Sequence, residues 1–144
     1  MPAIPYETTL HVRDACLCLH TQRAARALAR RFDQALRPMG LTNGQFSLLM
    51  ALNRPKTPPM GPVAELLAMD RTTLTAALKP LTRQGWVKIT PDKADKRSKR
   101  LALTAKGSVV LAAALPTWNK EHAKIDAALP RGGDALRKDL IALL

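Results

Sequence analysis

The chain is poor in aromatic residues, and this limits both its core and its partners. Only 3% of its 144 residues are Phe, Trp or Tyr, although 47% are hydrophobic. Most of the core therefore has to be built from Ala and Leu, which are among the best helix formers. RNA-binding modules commonly present aromatic stacking platforms, and a chain with so few rings is a poor candidate for one.

Features that would assign the chain to other classes are also missing. No apolar run approaches the roughly 18 residues of a membrane span. The start of the chain lacks the basic and apolar regions of an export signal. Two cysteines are too few for a disulfide framework. We therefore expect a cytoplasmic protein with free thiols and no membrane partner.

The common signatures of enzymes are absent from the sequence. It has no glycine-rich phosphate loop, no His-Glu-x-x-His pair and no nucleophile elbow. Its few carboxylates show no paired spacing for acid–base catalysis. We therefore expect no enzyme, no catalytic residues, no metal and no cofactor.

Basic residues are abundant by contrast. The chain has 23 Lys and Arg against 11 Asp and Glu, which gives a net charge of +12 at pH 7. A surplus of this size bears on the choice of partner rather than on folding, and it indicates a polyanion such as nucleic acid. The length is sufficient for a single domain with its own core.

Long helical segments flank a compact centre. Residues 10–39 are rich in Ala, Leu and Arg and form one predicted helix. Residues 108–129 form another, in which Pro116 should cause a kink or an interruption. A last short helix over residues 135–144 is predicted to begin after an N-cap at Asp134.

The centre has the order helix, turn, helix, hairpin. Thr42 is the predicted N-cap of a helix that ends near Asn53. After it come a short helix, a second helix and two short strands, predicted at residues 61–68, 70–84, 86–90 and 101–103. The turn between the two helices consists of Ala68 and Met69, and Asp70 is the predicted N-cap of the second helix.

The helix predicted over residues 70–84 has two distinct faces. At about 100° per residue, its apolar side collects Leu74, Ala77, Leu78 and Leu81. The opposite side and the first turn supply the candidate DNA contacts, which are Arg71, Thr72, Thr73, Thr75, Lys79 and Arg83. Thr can bond base edges or phosphates, and its methyl can touch a thymine methyl. An ordinary amphipathic helix with a solvated polar face is the alternative, and the neighbouring short helix and basic hairpin argue against it.

The hairpin that follows is strongly basic. Seven Lys and Arg occur in residues 88–106, opposed only by Asp92 and Asp95. The candidate contacts at its tip are Asp95, Lys96, Arg97, Lys99 and Arg100. Narrow minor grooves attract Arg, and we expect the Asp95 carboxylate to orient the Arg97 guanidinium by a bidentate pair. A solvated, mobile charged loop is the alternative.

Three segments together resemble the MarR family of bacterial winged-helix transcriptional regulators, and the similarity covers nearly the whole chain. They are residues 41–46 (LTNGQF), residues 69–75 (MDRTTLT) and residues 95–107, where Asp-x-Arg precedes Leu-Thr-x-x-Gly. The resemblance implies a mostly α fold with a small β-hairpin wing. It implies one domain over residues 1–144, in which 41–107 form the DNA-binding unit and 1–40 and 108–144 supply dimerisation helices.

The resemblance also implies a way of acting. Each recognition helix of a homodimer would enter a major groove of double-stranded DNA, and each wing Arg, here Arg97, a minor groove. A small aromatic or phenolic effector, or thiol oxidation, would release the protein. The leading hypothesis is therefore a sequence-specific repressor-like regulator on a near-palindromic operator. The alternative is a basic architectural DNA- or RNA-binding protein without sequence specificity.

Cys16, Cys18 and His20 form a Cys-x-Cys-x-His string. Residues two apart on a helix point about 200° away from each other, so we expect no convergent metal site. Cys18 shares a helix face with Ala25 and Leu28, and a buried inert thiol is the simplest interpretation. Because some members of the MarR family sense oxidants through a cysteine near this position, Cys16 and Cys18 are also possible redox sensors. His122 lies among charged residues, and we expect it to be solvated.

Overall fold

Seven α-helices, one short 3₁₀ helix and a two-stranded antiparallel sheet make up residues 3–144, the part of the chain that the computed structural model describes. The helices are α1 (Tyr6–Ala15), α2 (Leu17–Leu36), the 3₁₀ helix (Arg37–Met39), α3 (Asn43–Leu52), α4 (Met60–Leu66), α5 (Arg71–Arg83), α6 (Ala105–Ala128) and α7 (Gly132–Ile141). The strands are β1 (Val87–Pro91) and β2 (Lys99–Leu103). This mostly helical fold with one hairpin confirms the predicted class. Within residues 3–144, no helix has the length and apolarity that crossing a membrane requires.

The core lies where α2, α3, α5, α6 and the hairpin meet. Helix α3 contributes five buried residues. Its first turn is held by a capping box, in which Thr42 Oγ1 accepts from the Gln45 N–H and Gln45 Oε1 accepts from the Thr42 N–H. The predicted N-cap at Thr42 is therefore confirmed. The largest fully buried side chains are Leu36, Leu48, Leu49, Val63, Leu74, Leu78, Leu81 and Leu101.

The predicted N-terminal helix is interrupted at Cys16. This residue has extended backbone angles, with φ −74° and ψ 110°, and it separates α1 from α2. Its Sγ accepts a hydrogen bond of 3.4 Å from the Leu19 N–H and thereby caps α2. The expectation of one continuous helix over residues 10–39 is therefore wrong, because a cysteine thiol takes the role that Ser or Asp usually has.

The C-terminal helices also differ from expectation. Helix α6 runs through Pro116 without a break, so of the two expected outcomes the interruption is wrong and the kink stays a prediction. Helix α7 begins at Gly132, which places Asp134 in its first turn rather than at its N-cap. There Asp134 Oδ1 accepts a hydrogen bond of 3.0 Å from Arg137. A carboxylate in the first turn stabilises the helix through the helix dipole.

A cluster of aromatic rings joins α2, α3 and α6. The ring of His122 lies 4.6 Å from that of Phe32 and 4.2 Å from that of Trp118, measured between centroids, and Trp118 stacks on Phe46 at 5.8 Å. Burial, followed by the charge of Arg137, lowers the pKa of His122. The expectation of a solvated His122 is therefore wrong, because the fold brings the ring of Phe32 from α2 against it, beside Trp118 of its own helix.

The first turn of α6 packs directly on the backbone that leads into the hairpin. Thr104 Oγ1 accepts from the Gly107 N–H at 3.0 Å and donates to the Gly85 carbonyl at 2.6 Å. A Cβ atom on Gly107 would overlap the Trp86 carbonyl oxygen and would lie 2.8 Å from Leu103 Cδ1. Only glycine fits at this position, and the contact fixes the hairpin against α6.

Gly107→Ala should therefore lower the free energy of unfolding by about 2 kcal/mol, as overpacking of a closed contact does. Gly44→Ala is the matched control, because Gly44 lies in α3 with open space around it. The control should be neutral or more stable by about 0.5 kcal/mol. Denaturant titration of both variants measures the two changes. Equal stability of Gly107→Ala and the wild type would contradict the close packing of Gly107 on the Trp86 carbonyl.

Candidate nucleic-acid interface

The turn between α4 and α5 is closed by a left-handed residue. Ala68 has a φ of 51°, and it is the only non-glycine residue of the described chain, 3–144, with a positive φ. Its N–H donates to the Glu65 carbonyl at 3.1 Å, and the Met69 N–H donates to the Ala64 carbonyl at 2.9 Å. This is the Schellman arrangement, which usually contains glycine. The chain thus reverses within two residues before Asp70 begins the next helix.

Helix α5 begins at a strong cap. Asp70 Oδ1 accepts a hydrogen bond of 2.7 Å from the Thr73 N–H, which confirms the N-cap predicted from the sequence. This hydrogen bond is the main cause that lowers the pKa of Asp70, so the carboxylate is ionised at neutral pH. A negative charge at this end also suits the helix dipole.

The two faces of α5 are those that the sequence indicated. Leu74, Leu78 and Leu81 are buried on the inner face. All six candidate contacts are exposed, namely Arg71, Thr72, Thr73, Thr75, Lys79 and Arg83. Within residues 3–144, the three basic side chains of this group form no ion pair with an acid. Their charges are therefore available to an external partner.

The two central threonines differ in what they can offer. Thr75 Oγ1 donates a hydrogen bond of 2.8 Å to the Arg71 carbonyl. Its hydroxyl hydrogen is thus used within the helix, which leaves the two lone pairs of the oxygen and the methyl group for a partner. In the described part of the chain, the Thr72 hydroxyl makes no hydrogen bond, so it keeps both its donor and its acceptor.

The exposed face of α5 adjoins the first strand of the wing. A groove of about 530 Å³ runs between them, lined by Thr75, Leu78, Lys79, Thr82, Arg83 and Ile89. The sequence did not identify Thr82 or Ile89 as part of this surface. Period-two alternation in a strand does not say which helix a strand residue faces, so only the folded chain shows this neighbour.

The wing is a regular hairpin whose tip is held by aspartates. β1 and β2 pair antiparallel from Val87 opposite Leu103 to Pro91 opposite Lys99. At the tip, Asp95 Oδ1 accepts from the backbone N–H of Arg97 at 3.0 Å. The predicted bidentate pair between Asp95 and the Arg97 guanidinium is therefore wrong, because the carboxylate closes a turn instead. The side chains of Lys96, Arg97 and Lys99 are exposed.

Arg100 is bound to the protein itself. Its Nε donates to Asp92 Oδ2 at 2.9 Å, and its Nη1 donates to the Thr57 carbonyl at 2.7 Å. A DNA contact by Arg100 stays a prediction, but two of its donors are already used. The sequence had placed Asp92 only as a charge that opposes the basic hairpin, and it gave no reason to connect Thr57 with the wing.

The cysteines lie at the break between α1 and α2. Cys16 is half-buried and Cys18 is exposed. The expected burial of Cys18 is wrong, because Ala25 and Leu28, which share its helix face, are exposed themselves. The placement of Cys16 on the same helix as Cys18 is also wrong. No group of three or more His, Cys, Asp or Glu side chains in residues 3–144 is arranged to hold a metal ion.

Most of the positive charge lies in the unit formed by α3, α4, α5, the hairpin and the start of α6. Residues 41–107 contain twelve Lys and Arg against four Asp and Glu, which accounts for eight of the net +12. We refer to these residues as the winged unit. Its charge is suited to a polyanion, and its shape offers a helix and a hairpin for contact.

Comparison with known proteins identifies relatives of the winged unit and of the longer chain. A family model described as a winged helix DNA-binding domain matches residues 41–107. Among curated proteins, the chain is similar to YybA of Bacillus subtilis, an uncharacterised HTH-type transcriptional regulator. The two are 34% identical over 86 residues, which is 60% of this chain and 57% of YybA. The chain spans about half the length of the curated relatives it matches.

Solved structures are similar over nearly the whole chain. One is the Mycobacterium tuberculosis transcriptional regulator MosR in complex with DNA, at 39% identity and a TM-score of 0.82, covering 89% of this chain and 92% of MosR. Another is the transcriptional repressor CouR bound to a DNA duplex, at 27% identity and a TM-score of 0.73, covering 92% of each chain.

The left-handed turn before α5 can be tested by substitution. Ala68→Gly should raise the free energy of unfolding by about 0.5–1 kcal/mol, because glycine adopts this conformation without the steric cost that alanine has. Ala76→Gly is the matched control on the exposed face of α5, and it should lower stability by about 1 kcal/mol. Denaturant titration measures both. Loss of stability in Ala68→Gly would contradict the described turn.

Proposed function

The chain belongs to the MarR family of winged-helix transcriptional regulators, and from this we propose that it binds a near-palindromic DNA site as a homodimer. The similar proteins establish that the chain is a transcriptional regulator with a winged helix DNA-binding domain. The proposal of site-specific DNA binding rests on the surface of α5 and the wing, where exposed basic and hydroxyl side chains surround one groove. A non-specific architectural role is not favoured, since the relatives named above are transcriptional regulators.

The exposed side chains divide into three roles in this proposal. Arg71, Thr72 and Thr73 lie in the first turn of α5, where a helix can approach base edges in the major groove. Lys79 and Arg83 lie further along and are suited to phosphates. Lys96, Arg97 and Lys99 follow the DNA backbone, with the Arg97 guanidinium in the minor groove. Asp95 contributes by closing the turn that carries Arg97.

The second copy of the chain is proposed to cover the terminal helices. Helix α1 has no buried residue. The start of α2 and the end of α7 form a largely apolar groove of about 490 Å³, lined by Leu17, His20, Thr21, Ala24, Leu136, Asp139, Leu140 and Leu143. Leu17 and Leu143 are 68% and 60% exposed. Contiguous apolar surface of this kind marks an interface, which supports residues 1–40 and 108–144 as the dimer layer.

A small aromatic or phenolic effector is proposed to regulate the dimer. CouR from Rhodococcus jostii RHA1, which has been solved with p-coumaroyl-CoA bound, shares the fold of this chain at 20% identity and a TM-score of 0.72. By population shift, a ligand that prefers a dimer with altered spacing of its two winged units lowers DNA affinity. Oxidation of Cys16 or Cys18 is a second proposed route to the same change, since the two cysteines flank Leu17, which lines the groove that the partner is proposed to cover.

Arg97→Ala should weaken DNA binding by about tenfold at physiological salt, because a buried minor-groove guanidinium is lost. It should also reduce the slope of log affinity against log salt concentration by the amount that about one phosphate contact contributes. Titration of a fluorescent duplex at several salt concentrations measures both effects. Lys120→Ala, which removes an exposed charge from α6, is the control and should change neither. If Arg97→Ala binds as tightly as the wild type, the wing does not contact DNA.

The thiol route has its own test. Mild peroxide should oxidise the exposed Cys18 or its neighbour Cys16 and reduce DNA binding, and serine at the reactive position should preserve binding. Mass spectrometry identifies the modified residue while a binding assay follows release. If release never occurs, or persists in both Cys16→Ser and Cys18→Ser, the thiols play no part in regulation.

A further inference from the structure

Arg100 connects the wing to a distant part of the chain. Its guanidinium donates to Asp92 at the base of the hairpin tip and to the carbonyl of Thr57, at 2.9 and 2.7 Å. Thr57 belongs to the segment between α3 and α4, residues 53–59. It lies 43 positions before Arg100 along the chain. One planar side chain therefore joins the two segments through two donors of fixed relative geometry.

The backbone strengthens this connection. The Leu101 N–H donates to the Pro58 carbonyl at 2.9 Å, and Pro59 forms an antiparallel bridge with Arg100. Pro58 is buried. Adjacent prolines restrict the backbone of this segment. The segment thus lies beside β2 like a short third strand with a restricted backbone, and Arg100 is the residue of β2 that it contacts.

Asp92 extends the connection into the tip. Its Oδ1 accepts from the Ala94 N–H at 2.8 Å while its Oδ2 accepts from Arg100. Its own N–H donates to the Ser98 carbonyl at 2.8 Å. The Ala94 N–H, and then Arg100, lower the pKa of Asp92, so the carboxylate stays ionised at neutral pH.

We propose that Asp92 and Arg100 are positioning residues, which hold the wing tip so that Arg97 reaches the DNA with little loss of conformational entropy. This inference rests on the proposed function of the chain. It assigns a favourable role in DNA binding to an acidic residue in a basic hairpin. It also assigns Arg100 to the support of the wing rather than to a phosphate.

The direction in which one substitution changes the DNA affinity distinguishes a positioning role from a direct electrostatic effect. Asp92→Asn removes a negative charge from a surface that faces a polyanion, so simple electrostatics predicts tighter DNA binding. Positioning predicts the opposite, because a neutral amide binds Arg100 more weakly and lets the tip move. We expect Asp92→Asn to weaken binding about threefold to tenfold, the scale on which charge-assisted hydrogen bonds contribute.

Arg100→Lys is the second variant. It keeps the positive charge but cannot donate to Asp92 and Thr57 from one rigid plane. It should weaken binding to a similar extent, whereas a purely electrostatic contact to phosphate would survive. Glu65→Gln is the matched control, because it removes one negative charge from an exposed residue of the winged unit and should not weaken binding.

A double-mutant cycle with Arg97→Ala distinguishes positioning from a general structural effect. Binding is measured to a duplex that the wild-type chain selects from a random pool. If Asp92 acts through Arg97, Asp92→Asn should weaken wild-type binding but change the Arg97→Ala variant less than twofold. Equal weakening in both backgrounds, or unchanged or tighter binding by Asp92→Asn, would overturn the inference.

Amide hydrogen exchange gives a readout that needs no DNA. Asp92→Asn should speed exchange at Ala94 and Ser98 while leaving α3 and α5 unchanged, and unchanged exchange at the tip would overturn the inference. Failure of the wild type to select any duplex would instead overturn the proposed function. The two failures are therefore distinguishable.

Discussion

The burial of three leucines fixes the rotation of α5 about its own axis, and the interface depends on this constraint. Leu74, Leu78 and Leu81 are at most 1% exposed. Rotating the helix by one residue would expose leucine side chains, at a free-energy cost of about 1.5–3 kcal/mol for each one. The same rotation would bury a hydroxyl or a charge. The outward direction of Thr72 and Lys79 is therefore set by the core, without any contribution from DNA. The caps at both ends, Asp70 and the turn at Gly85, fix where along the chain this face begins and ends.

Most acidic residues of the winged unit have the same structural role, which is to hold its segments in place. Three of its four carboxylates bind the protein's own groups, with Asp70 at the start of α5, Asp92 on Arg100 and Asp95 on the Arg97 N–H. Each organises a segment that presents basic side chains. The acids thus support the surface that carries the positive charge, while Lys79, Arg83 and Arg97 are exposed and form no ion pair within residues 3–144.

Local rules of sequence predicted the parts of the structure that depend on neighbours a few positions apart. The periodicity of α5 and the caps at Thr42 and Asp70 are of this kind. The errors arise where the decisive partner is distant or unusual. His122 contacts the ring of Phe32 from α2, 90 positions away, and Arg100 binds a carbonyl 43 positions away. Cys16 takes a capping role that is rare for a thiol, and the spacing of Asp95 does not reveal whether it binds the backbone or the side chain of Arg97.

We propose that two copies of this surface read one defined DNA sequence. Selection of bound duplexes from a random pool by the wild-type chain tests it most directly. Binding by two such surfaces predicts an enriched near-palindrome whose half-sites lie one helical turn, roughly 34 Å, apart. It also predicts that Thr72→Ala enriches a different base at one position of each half-site. Recovery of duplexes with no common sequence, at affinities that depend only on salt, would contradict it.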